Sequence, residues 1–142
     1  MRAFAIAASL ALVSVVGGAP AARADEKVLT AAMTAAEETP PGPDGATGAA
    51  TITIDEAKDT LCYDVSWSEE VGNPTAGHIH KGKKGLAGPV VVNFQLPDKP
   101  KDCLQVEKGV LKDILADPGG HYVNVHNNMY PGGAVRGQLK AG

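Results

Sequence analysis

Apolar and polar residues alternate with a period of two along several short stretches of this sequence, as in β-strands that bury one face. Residues 47–55 and 61–67 show the alternation most clearly, and the charged turn at residues 56–59 predicts that they form an antiparallel hairpin. Further strands are predicted at residues 75–80, 90–94, 122–126 and 134–139. Glycine and proline residues separate the strands, so the pattern predicts an all-β fold, an antiparallel sandwich or barrel.

Two segments do not follow this strand pattern clearly. The apolar residues at 28–36 fit one face of a short helix, but the segment equally fits an edge strand leading into the proline-rich turn at residues 40–43. Apolar residues recur at helical spacing over residues 108–116 and predict one short amphipathic helix. The Pro-Gly-Gly sequence at residues 118–120 ends that helix.

The N-terminus has the features of a secretory signal peptide. Arg2 precedes an apolar run at residues 3–16, and a small-x-small triplet at residues 22–24 marks a cleavage pattern. The run is short for a membrane span, and no later segment resembles one. We therefore expect residues 1–24 to be removed and residues 25–142 to form one exported domain, periplasmic or secreted, with no membrane anchor.

The charge of the chain argues against one class of partner. The 142-residue chain has a net charge of −3. Loss of Arg2 and Arg23 with the signal peptide reduces the 13 basic residues to 11, which against 16 acidic residues gives a mature net charge of −5. Proteins that bind nucleic acids need a basic surface to neutralise phosphates, so we expect no nucleic-acid partner.

Both cysteines, Cys62 and Cys103, lie in the predicted mature chain. Two cysteines in an exported protein most simply form one disulfide, and closing a loop of this length stabilises a fold by roughly 4 kcal/mol. The alternative is a pair of metal-binding thiolates. Such pairs usually have a Cys-x-x-Cys spacing that this chain lacks, so the sequence favours the disulfide.

The candidate chemistry lies in a His-x-His triplet on one predicted strand. Because strand side chains alternate between faces, His78 and His80 point outward while Ile79 points to the core. The same alternation places His126 and Arg136 on outward faces of the last two strands. Neutral imidazoles that meet on one surface are good ligands for copper or zinc. Their meeting requires the strands to be neighbours, which the sequence leaves open.

Each of these residues also has a simpler explanation. A single surface histidine is usually only solvated, and Arg136 could pair with a surface carboxylate at little gain in stability. His121 has the opposite parity to His126, so it ranks below the other three histidines as a candidate fourth ligand. The lysine-rich loop at residues 81–84 is typical of a solvated surface, but it could also attract a small anion towards a nearby site.

Several segments occur in the order of a known family's motifs. They are GHIH at residues 77–80, GPVVV at 88–92, YVNVH at 122–126 and PGGAVRGQL at 131–139. The ETPP segment at residues 38–41 and the strand at Gly48 match that family's opening. The chain thus resembles the CHRD domain, first named in chordin, over nearly all of its predicted mature part. The resemblance implies a Greek-key-like domain that is secreted, or periplasmic in bacteria.

Some bacterial single-domain CHRD proteins are copper proteins with superoxide dismutase activity. The resemblance therefore implies one copper ion held by His78, His80 and His126, with His121 or water as fourth ligand. The substrate would be superoxide, a small anion that Arg136 would attract and hold. The layout is also similar in outline to Cu/Zn superoxide dismutase, but it lacks evident zinc ligands between His80 and His126, so we expect no zinc site. The alternatives are a non-catalytic extracellular binding module and a copper-buffering protein.

Overall fold

The structure, a computed structural model, describes residues 26–142. The predicted signal peptide at residues 1–24 lies outside the described residues, so its removal and the domain start at residue 25 stay predictions. No helix within the described part of the chain has the length and apolar character to cross a membrane. The elements in chain order are β1 (Glu26–Thr34), β2 (Thr47–Asp55), β3 (Thr60–Trp67), β4 (Pro74–Lys81), β5 (Val90–Asn93), β6 (Lys101–Gln105), α1 (Lys108–Ala116), β7 (His121–Asn127), β8 (Val135–Gln138) and β9 (Lys140–Ala141).

All the strands pair antiparallel and form one curled sheet. The strand order is β5-β4-β7-β8-β1-β2-β3-β6, with the short β9 paired to β1. Strands distant in the sequence are neighbours at β4–β7, β8–β1 and β3–β6, so the sheet depends on long-range pairing. The predicted all-β antiparallel fold with one short helix is confirmed, and β2 and β3 form the predicted hairpin.

The inner face of the sheet carries the apolar residues that the alternation predicted. Ile52, Ile79 and Val123 are fully buried there, and burial of each such side chain contributes about 1.5–3 kcal/mol. Helix α1 has the predicted bounds and adds Leu111 and Ile114 to the same core. Because Ile79 points inward, its neighbours on β4 must point to the opposite face of the sheet.

Strand β1 resolves the ambiguity at residues 28–36. The segment is a strand, but it is not an edge strand, because β1 pairs with β2 along its whole length and with β8 and β9 on its other side. Leu29, Ala31 and Met33 point into the core. Alanines occupy both faces of β1, which weakens the contrast between apolar and polar positions in the sequence.

Strand β6 lies at one edge of the sheet and is not among the strands predicted from the sequence. Its side chains are exposed or half-buried, so it shows little apolar alternation. It pairs with β3, and Cys103 lies directly opposite Cys62. The predicted Cys62–Cys103 disulfide is confirmed, and the thiolate-pair alternative is therefore excluded.

The outer face of β4, β7 and β8 brings the candidate residues together. The directly paired positions are His78 with Asn124, His80 with Tyr122, Ala76 with His126, and Asn124 with Arg136. The connection from β4 to β5 folds back over this face. Gly88 packs there against the backbone carbonyl of Lys81, at a place where any Cβ would collide.

Candidate metal centre

Three histidines from two neighbouring strands form a compact cluster. His78 and His80 lie on β4, His126 lies on β7, and one ring nitrogen from each lies within 4.8 Å of the other two. The shortest separation is 3.0 Å, between His78 Nδ1 and His126 Nε2. The structure thus brings together the three histidines that alternation placed on outward faces.

Backbone carbonyls fix the orientation of two of these rings. His80 Nδ1 donates to the Gly88 carbonyl at 2.8 Å, and His126 Nδ1 donates to the Pro131 carbonyl at 2.9 Å. Each neutral ring then carries its lone pair on Nε2, the nitrogen that faces the cluster. His80 Nε2 is buried and has no hydrogen-bond partner among residues 26–142.

The surroundings favour the neutral form of two histidines in the cluster, His78 and His126. Burial, followed by the nearby His126 and His80, lowers the pKa of His78 to about 4. Burial also lowers the pKa of His126, although its hydrogen bond to the Pro131 carbonyl acts in the opposite direction. Neutral imidazoles are the form that binds transition metals, so His78 and His126 are ready to act as ligands at pH 7.

His121 does not join this cluster. It lies opposite Lys81 and shares the inner face of β7 with Val123. Its Nδ1 donates to the Asp117 carbonyl at 2.8 Å, and its Nε2 lies 3.6 Å from the Asp113 carboxylate. The structure therefore does not support His121 as a fourth ligand, because its side chain lies on the opposite face of β7 from His126.

Arg136 is buried rather than surface-exposed, with 2% of its area accessible. Its guanidinium lies 3.4 Å from the centre of the Tyr122 ring and donates to the Lys83 carbonyl and to Gln138 Oε1. Tyr122 in turn stacks on His80, with ring centres 4.8 Å apart and planes at 4°. Arg136 thus reaches the cluster through Tyr122, and its burial does not fit the simpler alternative of a surface arginine.

Two of the loop lysines are engaged by carboxylates. Lys81 lies 2.5 Å from Asp113, and Lys84 lies 2.8 Å from Glu37. These pairs reduce the local positive charge that could attract an anion. The sequence-based suggestion that this loop steers an anion is accordingly weakened.

Two further polar residues beside the cluster were missed by the sequence reasoning as site residues. Asn124 is 2% exposed, and its Oδ1 lies 3.0 Å from His126 Nε2. Glu38 is 6% exposed, and burial raises the pKa of its carboxyl to about 7, against the opposing effects of Arg136 and Asn124. Alternation did place Asn124 on the same face as His126, but nothing in the pattern connected the distant Glu38 to it.

The chain matches a protein-family model over a range that includes the whole histidine cluster. The model of the CHRD domain matches residues 29–139, which include all three clustered histidines. The chain belongs to the CHRD domain family. The family assignment made from the motifs is therefore confirmed. Neither a curated protein nor a solved structure matches the chain, and the outline likeness to Cu/Zn superoxide dismutase is not confirmed.

Proposed function

We propose that this CHRD domain is an exported protein that binds one copper ion through His78 Nδ1, His80 Nε2 and His126 Nε2 and dismutes superoxide there. The main support for this proposal is the histidine cluster, in which three ring nitrogens lie within 4.8 Å of one another. The Cys62–Cys103 disulfide supports export, because such bonds persist mainly in oxidising compartments.

The donor set fits a copper ion. Buried polar atoms normally have a partner, so the unpartnered His80 Nε2 suits a bound cation. The cluster contains three imidazoles and no thiolate or carboxylate. Imidazole suits zinc, copper, iron and nickel, and among divalent ions of this series copper binds most tightly.

When bound, copper would take an electron from one superoxide anion and give it to the next, so that two superoxide anions and two protons yield dioxygen and hydrogen peroxide. The protein's own residues hold and shield the centre. The Gly88 and Pro131 carbonyls orient His80 and His126, while the half-buried His78 leaves an approach from solvent. The buried Arg136 lies behind Tyr122, where its charge favours an approaching anion.

A direct test compares copper binding and superoxide removal by the mature chain and two variants. His80→Ala removes a proposed ligand, whereas His121→Gln changes a histidine outside the cluster and serves as the matched control. We expect His80→Ala to lose at least about a hundredfold in copper affinity and to lose activity, since a direct ligand matters more than its supporting contacts. Equal activity of His80→Ala and wild type would refute the proposal.

Copper buffering without turnover is the second candidate, and one observation favours it. His80 and His126 are only 9% and 8% exposed, so the ion would be well shielded from solvent. Tight, stoichiometric copper binding with no acceleration of superoxide loss over free buffer would identify this function instead.

A further inference from the structure

The side chain of Asn124 lies where a fourth donor atom of the metal centre would be. Asn124 is two residues before His126 on β7 and directly opposite His78 on β4. Outward-facing residues therefore come as two i, i+2 pairs, His78 with His80 and Asn124 with His126. Asn124 is almost fully buried, so its amide needs partners within the protein or a ligand.

The contact between Asn124 and His126 joins two hydrogen-bond acceptors. His126 Nδ1 carries the proton, because it donates to the Pro131 carbonyl, so Nε2 of the neutral ring has only a lone pair. Asn124 Oδ1, 3.0 Å from that nitrogen, also has only lone pairs. Two facing acceptors repel each other unless a hydrogen-bond donor or a cation lies beside them, and the His78 side chain, which hydrogen-bonds to Asn124, can act as that donor in the metal-free protein. His78 Nδ1, also 3.0 Å from His126 Nε2, borders the same point.

Glu38 accounts for the orientation of this amide. An asparagine side chain can present either its oxygen or its NH₂ group to a neighbour. The Asn124 side chain hydrogen-bonds to the Glu38 carboxyl and favours its ionised form, so the amide is the donor in this contact. The NH₂ end therefore faces Glu38, which turns the oxygen towards His126.

We propose that Asn124 Oδ1 is the fourth ligand of the metal centre, and that Glu38 is the positioning residue that holds the amide in its ligating orientation. The inference rests on the proposed copper site. Two donors bound at right angles to one ion, at about 2.0–2.1 Å each, lie about 3 Å apart, which matches the observed separations of 3.0 Å. Amide and carbonyl oxygens do occur as copper ligands beside imidazoles.

The test uses the copper-loaded mature chain and two asparagine variants. Asn124→Ala removes the proposed oxygen ligand. Asn93→Ala is the matched control, because Asn93 pairs with His78 from the other neighbouring strand but is exposed. Copper(II) electron paramagnetic resonance and a competition titration with a chelator report ligand set and affinity. Circular dichroism of the metal-free variants checks that each folds.

We expect Asn124→Ala to shift the copper(II) g and hyperfine values and to weaken binding by at least about tenfold, with the histidine nitrogen couplings retained. Asn93→Ala should match wild type. Glu38→Ala should move the spectrum in the same direction as Asn124→Ala by a smaller amount. An Asn124→Ala protein with the wild-type spectrum and affinity would overturn the assignment while leaving the three-histidine site intact.

A second measurement needs no variant. Wild-type protein labelled with ¹³C at the asparagine side-chain carbonyl should show a resolved ¹³C coupling to copper(II) in electron–nuclear double resonance, because the bonded oxygen is attached to that carbon. The absence of this coupling, with histidine nitrogen couplings present, would overturn the fourth ligand alone. Absence of both couplings would overturn the copper site as well.

Discussion

The replacement His80→Phe separates metal binding from folding. In the metal-free protein it removes a buried, unpartnered nitrogen and also the hydrogen bond to the Gly88 carbonyl. Removal of the unpartnered nitrogen raises the free energy of unfolding by about 1–3 kcal/mol, and loss of the hydrogen bond lowers it by about 0.5–1.5 kcal/mol. The flat ring can keep the stack on Tyr122. These changes partly offset each other, so we expect the free energy of unfolding to stay within about 2.5 kcal/mol of wild type.

Copper should affect the two proteins differently. At 100 times its dissociation constant, a ligand that binds only the folded state stabilises it by about 2.7 kcal/mol, which raises Tm by about 10 °C in a domain of this size. Wild type should show this rise and His80→Phe should lose it. Thermal unfolding followed by circular dichroism, with and without copper, measures both effects, and His121→Gln controls for the loss of a histidine elsewhere. A full copper-dependent rise in His80→Phe would refute the reasoning.

Two further predictions concern stability. The double replacement Cys62→Ser and Cys103→Ser opens a link with a sequence separation of 41, so we expect urea unfolding to show a loss of about 4 kcal/mol. The copper spectrum should not change, since β3 and β6 lie in the other half of the sheet; a lost spectrum would contradict this. Glu38 has its folded pKa raised from 4.5 to about 7, so its protonated form stabilises the fold fully below pH 4.5, and this contribution is lost as the pH rises through 7. The advantage of metal-free wild type over Glu38→Gln should therefore shrink between pH 5 and pH 8 in urea unfolding, and a constant difference would argue against a buried, titrating Glu38.

The local sequence pattern was sufficient to predict the elements in which apolar residues recur at a clear strand or helix period. The hairpin of β2 and β3 and helix α1 follow from apolar spacing and from the turn and stop residues next to them. Strand β1 was ambiguous because its place inside the sheet depends on pairing with β8 and β9, far along the chain. Strand β6 was missed because its position depends on pairing with β3 and on the disulfide rather than on burial.

In the metal site too, some features follow from the local sequence pattern, whereas others depend on contacts between residues distant in the sequence. Alternation alone put His78, His80 and His126 on outward faces, and their convergence then required the pairing of β4 with β7. The face of Arg136 was also predicted, but its burial depends on the loop from β4 to β5, whose Lys83 carbonyl accepts its hydrogen bond. The path of that loop leaves no periodic signal in the sequence.

Asn124 shows most clearly what a single sequence does not reveal. An outward asparagine on a strand is common, and its significance here comes from three contacts that form only in the folded chain. These are the pairing with His78, the contact with His126 and the interaction with Glu38. Metal-binding sequence patterns based on histidine and cysteine do not include such an asparagine.

The most direct test of the central claim is the electron paramagnetic resonance spectrum of the mature chain loaded with one equivalent of copper(II). We expect a single species with couplings from three histidine nitrogens, reduced to two in His80→Phe and unchanged in His121→Gln. A spectrum without nitrogen couplings, or one that His80→Phe leaves unaltered, would contradict it.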